Sequence, residues 1–265
     1  MRFTKMNGLG NDYLYVYAES VPANAPGLSI KYSERHFGAG SDGMIWILPS
    51  DKADFQMRIF NADGSEAKMC GNGIRCVGKY VYDKGYTDKT RIKVDTLSGI
   101  KTLDMKVAGG KVRSVTVDMG TVSVEDTLLL DVCGDQIRTI PVSVGNPHAV
   151  TFVDDAEAVE LEKIGPAIER HTAFPGGVNA EFVSVIGENK LRMRVWERGS
   201  GITMACGTGA CASASAAVSR GLCKPDEKIS VLLDGGTLEI TVSNDCSVRM
   251  TGPAEMIYDG ETIDD

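Results

Sequence analysis

The chain has 265 residues, of which 43% are hydrophobic and 24% charged, and this length suits two modest domains or one large one. Its net charge of −8 argues against a general nucleic-acid binder, which would carry basic patches. No run of 18 apolar residues predicts a transmembrane helix, and the first residues lack the apolar segment of a signal peptide. We therefore expect no membrane association, a cytoplasmic location and, for the seven cysteines, reduced thiols.

Short β-type runs dominate the predicted elements. In chain order, the predicted strands are 13–17, 44–48, 55–60, 92–94, 103–107, 112–119, 139–144, 149–153, 181–185, 191–196, 229–233, 237–242 and 248–251. The helical patterns are fewer, and they cover 29–37, about 74–82, 155–170 and about 210–220. The last of these is rich in Ala and Ser and carries no charge before Arg220, which predicts a buried helix with strands packed closely around it.

A faint internal duplication relates the two halves of the chain. Met69-Cys-Gly-Asn-Gly-Ile-Arg-Cys76 in the first half corresponds to Ala205-Cys-Gly-Thr-Gly-Ala-Cys211 in the second, and the leading cysteines are 136 positions apart. Each motif is followed by a predicted helix that ends at a glycine, Gly85 or Gly221. The duplication predicts two similar domains whose cysteine motifs serve one active site.

A cysteine at a helix start has distinctive acid–base properties. The amides of the first helical turn lack internal partners and carry partial positive charge, so each motif predicts a carboxylate site and a thiol whose pKa falls from about 8.5 toward neutrality. A single Cys-Gly-x-Gly is more often a tight turn with a buried cysteine. Two copies favour an enzyme that inverts a carbon centre, because one group must remove a proton from one face and another must return a proton to the opposite face.

Eight segments in the same order make the chain resemble the diaminopimelate epimerases. They are Lys5-Met-Asn-Gly-Leu-Gly-Asn-Asp12, Phe60-Asn-Ala-Asp-Gly-Ser-Glu66, the Cys70 motif, Gly145-Asn-Pro-His148, Val178-Asn-Ala-Glu-Phe182, Trp196-Glu-Arg-Gly199, the Cys206 motif and Met250-Thr-Gly-Pro253. The resemblance implies interconversion of LL- and meso-2,6-diaminopimelate, in lysine and peptidoglycan precursor biosynthesis, without pyridoxal phosphate, metal or nucleotide. It also implies that the protein is a homodimer and that its binding partner is this small-molecule substrate.

The expected fold class is α+β, or mixed α/β, with two pseudo-symmetric domains. Each is expected to be a mostly antiparallel curved sheet around a central helix, as the resemblance implies. Residues 1–118 form the half that carries Cys70, which we expect the segment 252–265 to complete. Residues 119–251 form the half that carries Cys206.

The resemblance also assigns site residues. Cys70 and Cys206 become the acid–base pair, and His148 and Glu197 help to set the protonation of the thiols. The guanidinium of Arg198 is expected to bind the distal carboxylate with two parallel hydrogen bonds. The complete expected set of substrate-binding residues is Asn11, Asn61, Gly71, Asn72, Asn146, Asn179, Glu197, Arg198, Gly207 and Thr208. No metal ligand is expected, and the remaining cysteines are expected to be packing or inert surface thiols.

Three alternatives and one departure qualify this interpretation. One alternative is a non-catalytic binding protein that has kept the fold, and the retained cysteine pair argues against it. A proline racemase or hydroxyproline epimerase of similar fold typically has His where this chain has Asn72, and an acid where it has Ala205. A metal- or redox-binding protein would show Cys-x-x-Cys pairs or histidines at ligand spacing, which this sequence lacks. Some family members have a substrate-contacting glutamine at the position of Gly43, whereas others have glycine, so Gly43 is not included in the expected site.

Overall fold

The computed structural model describes residues 1–263, and the chain divides into two compact units. Unit 1 comprises residues 1–118 together with the C-terminal segment that starts at Gly252, and unit 2 comprises residues 119–251. Over the described residues the fold is mixed α/β, with nineteen strands and four helices. None of the helices within 1–263 is long and apolar enough to cross a membrane.

Four single helices separate runs of two to seven strands along the described part of the chain. The first part contains β1 (Arg2–Gly8), β2 (Asn11–Tyr17), α1 (Ala25–Ser33), β3 (Gly43–Leu48), β4 (Phe55–Asn61), β5 (Glu66–Ala67), α2 (Gly71–Asp83), β6 (Arg91–Thr96), β7 (Gly99–Ala108) and β8 (Lys111–Thr121). The second part contains β9 (Ser123–Val124), β10 (Leu128–Val132), β11 (Asp135–Ser143), β12 (Pro147–Phe152), α3 (Leu161–Glu169), β13 (Asn179–Gly187), β14 (Lys190–Glu197), β15 (Gly201–Ile202), α4 (Gly207–Ser219), β16 (Lys228–Leu233), β17 (Gly236–Val242), β18 (Ser247–Gly252) and β19 (Glu255–Glu261).

In unit 1 the strands pair in the order β19-β1-β2-β3-β4-β6-β7-β8, and most of the pairs are antiparallel. The pairs β2–β3 and β4–β6 are parallel. A parallel pair needs a crossover connection, and α1 and α2 lie in those two connections. The C-terminal segment completes the unit because β19 pairs with β1.

In unit 2 the order is β10-β11-β12-β13-β14-β16-β17-β18, with the short β9 also paired to β11. The pairs β12–β13 and β14–β16 are parallel, and their connections contain α3 and α4. Helix α4 contacts strands from β9 to β17, and nine of its consecutive residues, from Gly209 to Ala217, are buried. The absence of charge in this stretch predicted that burial, and the small side chains allow the strands to approach closely.

Both cysteine-led helices end as their glycines predict. Gly85 and Gly221 adopt the left-handed conformation, with φ of 79° and 69°. Their amides donate to the carbonyls of Tyr82 and Val218 at 3.0 Å. A glycine in this conformation after the last helical turn satisfies carbonyls that would otherwise lack partners, without the steric cost of a Cβ.

Two predicted helices differ from the structure in their bounds. Helix α1 covers Ala25–Ser33 rather than 29–37, since Pro26 suits a first turn and the carbonyl of Tyr32 turns the chain by accepting the amides of Ala39 and Gly40. Helix α3 covers Leu161–Glu169 rather than 155–170. The carboxylate of Asp155 accepts the amide of Glu157 at 2.9 Å, and such a local bond competes with helix formation.

Three strands of five or more residues were missed by the sequence patterns. Strand β1 has an irregular register between Lys5 and Met6, which breaks the alternation on which the prediction depends. Strand β10 buries Leu130 and Val132, but its exposed residues Leu128 and Leu129 are apolar as well, so the sequence shows no clear alternation. Strand β19 is largely exposed and lacks the apolar pattern of a half-buried strand.

Candidate active site

The first cysteine motif forms the start of α2 in unit 1. Cys70 is the N-cap residue, with extended backbone (φ −135°, ψ 116°), and its Sγ accepts the amide of Gly73 at 3.3 Å. Gly71 and Asn72 are the first two helical residues and are buried. A Cβ at Gly73 would lie 2.7 Å from Cδ1 of Ile45, so glycine at the fourth position of the motif allows close packing of the helix against β3.

Asn11 contacts the Cys70 thiol and is itself bound by Asp42. The Sγ of Cys70 donates to Oδ1 of Asn11 at 3.4 Å, and Nδ2 of Asn11 donates to Asp42 at 2.8 Å. The main-chain carbonyl of Asp42 also accepts the amide of Ala62 at 2.9 Å, next to Asn61. Burial raises the pKa of the Asp42 carboxyl, against the lowering effect of its hydrogen bonds. Asp42 therefore orients Asn11 toward the thiol, a role that sequence analysis missed.

The two other predicted asparagines of unit 1 have protein partners. Asn61 accepts the hydroxyl of Tyr13 at 3.4 Å and donates to Ser65 at 3.0 Å. Oδ1 of Asn72 accepts from Nη1 of Arg75 at 3.0 Å. Arg75 orients Asn72 in this way, although it was not among the predicted site residues.

Arg75 itself is fully buried. Besides Asn72, its guanidinium donates to the carbonyl of Gly71 at 3.1 Å and to the carbonyl of Pro253 at 3.1 Å. These bonds join the start of α2 to the C-terminal segment within unit 1. In the sequence this residue was quoted only as a member of the first cysteine motif.

The second cysteine motif repeats the same local geometry at the start of α4 in unit 2. Cys206 is the N-cap residue (φ −116°, ψ 107°), and its Sγ accepts the amide of Gly209 at 3.4 Å. Gly207 and Thr208 are the first helical residues, and the hydroxyl of Thr208 lies 3.6 Å from Sγ of Cys206. A Cβ at Gly209 would lie 2.8 Å from Oε1 of Glu181 and 3.2 Å from Sγ of Cys206.

Asn146 and His148 connect this thiol to a buried carboxyl group. Nδ2 of Asn146 donates to Thr208 at 3.4 Å, and Oδ1 of Asn146 lies 3.1 Å from Nε2 of His148. Nδ1 of His148 lies 2.6 Å from Oε1 of Glu181, and both side chains are fully buried. The structure thus joins two predicted residues to Glu181, which sequence analysis had quoted only inside a motif.

The expected lowering of the thiol pKa is wrong for Cys206. Burial raises the pKa of this thiol well above its ordinary value, and the charge of Glu197 acts in the same direction. The hydrogen bonds from Thr208 and from the Gly209 amide lower it, but they are the smaller effects. Desolvation outweighs the helix start here because removing a thiolate from water costs more than one or two amides return.

The remaining predicted residues of unit 2 lie along β13 and β14. Asn179 donates to the carbonyl of Pro147 at 3.2 Å and accepts the amide of Arg198 at 2.9 Å. The exposed guanidinium of Arg198 donates to the carbonyl of Gly176 at 2.9 Å, while Glu197 accepts the hydroxyl of Thr203. The register of β12 with β13 places His148 opposite Asn179.

Gly43 occupies a position where a side chain does not fit. A Cβ there would lie 2.2 Å from the carbonyl oxygen of Phe60 and 2.8 Å from the ring of Tyr13. The backbone of β3 would have to move before this chain could accept the glutamine of other family members. Across residues 1–263, no group of three or more His, Cys, Asp or Glu side chains is arranged to hold a metal ion.

Comparison with known families bears on the whole chain. A family model described as diaminopimelate epimerase matches residues 3–125 and 140–257. The chain belongs to the diaminopimelate epimerase family. A relative named diaminopimelate epimerase from Bacteroides thetaiotaomicron is 54% identical over 263 residues, which covers 98% of this chain and 97% of the relative. One of the same name from Methanococcus maripaludis is 50% identical over 276 residues and covers 98% and 99%.

Solved structures of other proteins share the fold of this diaminopimelate epimerase family member. A Bacillus anthracis phenazine biosynthesis protein of the PhzF family has a TM-score of 0.79 at 14% identity, covering 99% of both chains. A probable proline racemase from Agrobacterium radiobacter K84 has a TM-score of 0.78 at 15% identity, covering 100% of this chain and 93% of the other. At these identities the likeness concerns the fold alone.

Proposed function

We propose that the chain is an amino-acid epimerase that interconverts LL- and meso-2,6-diaminopimelate, with Cys70 and Cys206 as its acid–base pair and without a cofactor. The observation that carries the proposal is the matched geometry of the two thiols. Each sulfur caps a 13-residue helix and accepts the amide of the glycine three positions later. The relatives named diaminopimelate epimerase support the choice of substrate.

The reaction needs two proton transfers at one α-carbon. The thiolate of one cysteine takes the α-proton and becomes a thiol, and the thiol of the other returns a proton to the opposite face and becomes a thiolate. Because burial and the charge of Glu197 raise the pKa of Cys206, we assign this thiol the donor role when Cys70 is the base; the roles exchange in the reverse direction. The amides that begin α2 and α4 would hold the α-carboxylate and stabilise the carbanion-like state.

The other predicted residues take supporting roles in the proposal. Asn11 and Asn61, and in unit 2 Asn146 and Asn179, bind the substrate, with further contacts from Gly71, Asn72, Gly207, Thr208 and Glu197. Arg198 holds the distal carboxylate, and its contact with the carbonyl of Gly176 supports a fixed orientation of the fork. His148 and Glu197 set the protonation of the second thiol, as the influence of Glu197 on Cys206 supports.

We further propose that the two units are duplicated, pseudo-symmetric halves. The supporting observation is that the orders β1-β2-β3-β4-β6-β7-β8 and β11-β12-β13-β14-β16-β17-β18 have parallel pairs at the same places. The family resemblance supports a cytoplasmic homodimer, and light scattering during size-exclusion chromatography tests the dimer.

The test of the function is α-carbon exchange in D2O. Wild-type protein should convert LL-diaminopimelate to the meso isomer with one α-deuterium, and it should turn over L-proline far more slowly. Its epimerase activity should persist after chelation of metals and after treatment with hydroxylamine. Cys70→Ala and Cys206→Ala should each lower the rate by about 10²–10⁴-fold or more, whereas Cys223→Ala, at a buried cysteine outside both motifs, should not. Near-normal epimerisation by either of the first two variants contradicts the two-thiol mechanism.

A further inference from the structure

A buried acid that no assigned role uses lies beside the second thiol. Glu181, on β13, has no exposed surface, and its Oε1 lies 2.6 Å from Nδ1 of the equally buried His148. Its Oε2 is buried and has no hydrogen-bond partner among residues 1–263. The titratable groups that face it are His148 from β12, Glu197 from β14 and Cys206 from the start of α4.

These contacts indicate where the proton of the Glu181–His148 pair lies. An ionised carboxylate with one oxygen buried and unpartnered is costly, whereas a neutral acid leaves only a carbonyl oxygen without a partner. Burial also raises the pKa of Glu181, and the charge of Glu197 adds to this, although His148 acts against it. The carboxyl of Glu181 therefore keeps its proton on Oε1 and donates it to Nδ1 of His148.

When Glu181 is protonated, the donor and the acceptor of each hydrogen bond between His148 and Cys206 are fixed. With Nδ1 as acceptor, neutral His148 carries its hydrogen on Nε2 and donates it to Oδ1 of Asn146, 3.1 Å away. Nδ2 of Asn146 donates to the oxygen of Thr208 at 3.4 Å. The hydroxyl hydrogen of Thr208 is then left to donate to Sγ of Cys206 at 3.6 Å. Hydrogen bonds that run in one direction polarise one another.

We propose that Glu181 is a positioning residue that acts on Cys206 through this hydrogen-bond chain. The hydrogen-bond chain starts at the protonated carboxyl of Glu181 and ends with the Thr208 hydroxyl, which donates to the sulfur. It therefore stabilises the thiolate that forms when Cys206 gives up its proton. A protonated Glu181 also avoids placing a negative charge beside that thiolate. The catalytic meaning of the chain rests on the proposed function, but its geometry and protonation can be tested without substrate.

The position of the proton is tested by nitrogen NMR of protein labelled with ¹⁵N-histidine. The chain has three histidines, and His148→Gln identifies the signals of residue 148. At pH 8 we expect His148 to be neutral with its hydrogen on Nε2, in the wild type and in Glu181→Gln, whose amide N–H can replace the acid as donor. An imidazolium or an Nδ1–H tautomer in the wild type would overturn the proposal.

The effect on the thiol is tested by the rate at which iodoacetamide alkylates Cys206 at pH 8, measured on its peptide by mass spectrometry, with Cys223 as internal reference. Glu181→Met keeps the volume but cannot donate, and Thr208→Val removes the last donor. Both should slow the alkylation of Cys206 about tenfold, the effect of losing one hydrogen bond to an ionised group. Glu181→Gln should stay within about twofold of the wild type.

Each result bears on the proposal separately from the function. Acceleration in Glu181→Gln would mean that a negative charge had been removed, and an unchanged rate in Thr208→Val would mean that the chain does not reach the sulfur; either overturns the proposal. The NMR result and Thr208→Val decide it even if Glu181→Met does not fold. Failure of the wild type to epimerise diaminopimelate would instead refute the proposed function.

Discussion

Gly209→Ala should damage the second thiol site although alanine is the better helix former. The new Cβ would lie 2.8 Å from Oε1 of Glu181 and 3.2 Å from Sγ of Cys206, whereas ordinary contacts begin at 3.4 Å. The deficit toward Glu181 is 3.4 − 2.8 = 0.6 Å. Strand β13 is bonded on both sides, to β12 and to β14, so the displacement falls mainly on the carboxyl group and on the cysteine.

The magnitudes decide the direction of the effect. Replacing Gly by Ala in a helix contributes about 1 kcal/mol of stability, while overpacking costs about 1–3 kcal/mol, so Gly209→Ala should be neutral to about 2 kcal/mol destabilised in urea unfolding. A displacement approaching 1 Å at a reacting group costs up to about 10²-fold, so kcat for deuterium incorporation into diaminopimelate should fall about 10- to 100-fold.

Gly187→Ala is the matched control for this experiment. Its Cβ would lie 3.5 Å from the flexible side chain of Lys190, an ordinary contact far along β13 from Glu181. We expect kcat and the urea midpoint of this variant to match the wild type. A Gly209→Ala enzyme with kcat within twofold of the wild type would refute the argument that this glycine separates the thiol from the buried acid.

Three further predictions follow from the structure. Arg75→Met should lower the free energy of unfolding by about 3 kcal/mol, because the carbonyl of Pro253 and other buried acceptors lose a charged donor; the exposed Arg113 should tolerate the same change within about 0.5 kcal/mol, and equal urea midpoints for the two variants would contradict this. Arg198→Lys should raise KM for diaminopimelate about tenfold, since an ammonium group cannot reproduce a bidentate fork, and an equal loss with a short amino acid would show that it does not bind the distal carboxylate. Burial raises the pKa of Cys76 to about 11, so this thiol contributes stability that is complete below pH 9 and is lost as the pH rises to 11. Between pH 9 and 11 the free energy of unfolding, measured in urea, should therefore fall by about 3 kcal/mol less in Cys76→Ala than in the wild type. Parallel stability curves for the two proteins would argue against this.

The local signals in the sequence were accurate where the physics is local. A cysteine followed by Gly-x-Gly predicted a helix start, and both Cys70 and Cys206 are N-cap residues. Gly85 and Gly221 predicted the ends of these helices. Most strands with an apolar pattern were predicted near their observed positions. Strand β10 was missed because apolar residues occupy its exposed positions as well as its buried ones, and β19 was missed because it is largely exposed.

The ordered motifs of the chain were enough by themselves to indicate its family, its mixed α/β class and the two helix starts that carry thiols, because capping and turn chemistry depend on neighbours in sequence. The protonation of Cys206 was decided only by tertiary structure. The helix start alone predicts a lowered pKa, but burial and the charge of Glu197 raise it. The same holds for Glu181, a single acid in an apolar strand, whose environment is created by His148 and by Gly209 on other elements. Desolvation and the coupling of charges depend on which groups pack together in space. His148 and Gly209 are 33 and 28 positions from Glu181 in the sequence, so the residues next to Glu181 in the sequence do not indicate these contacts.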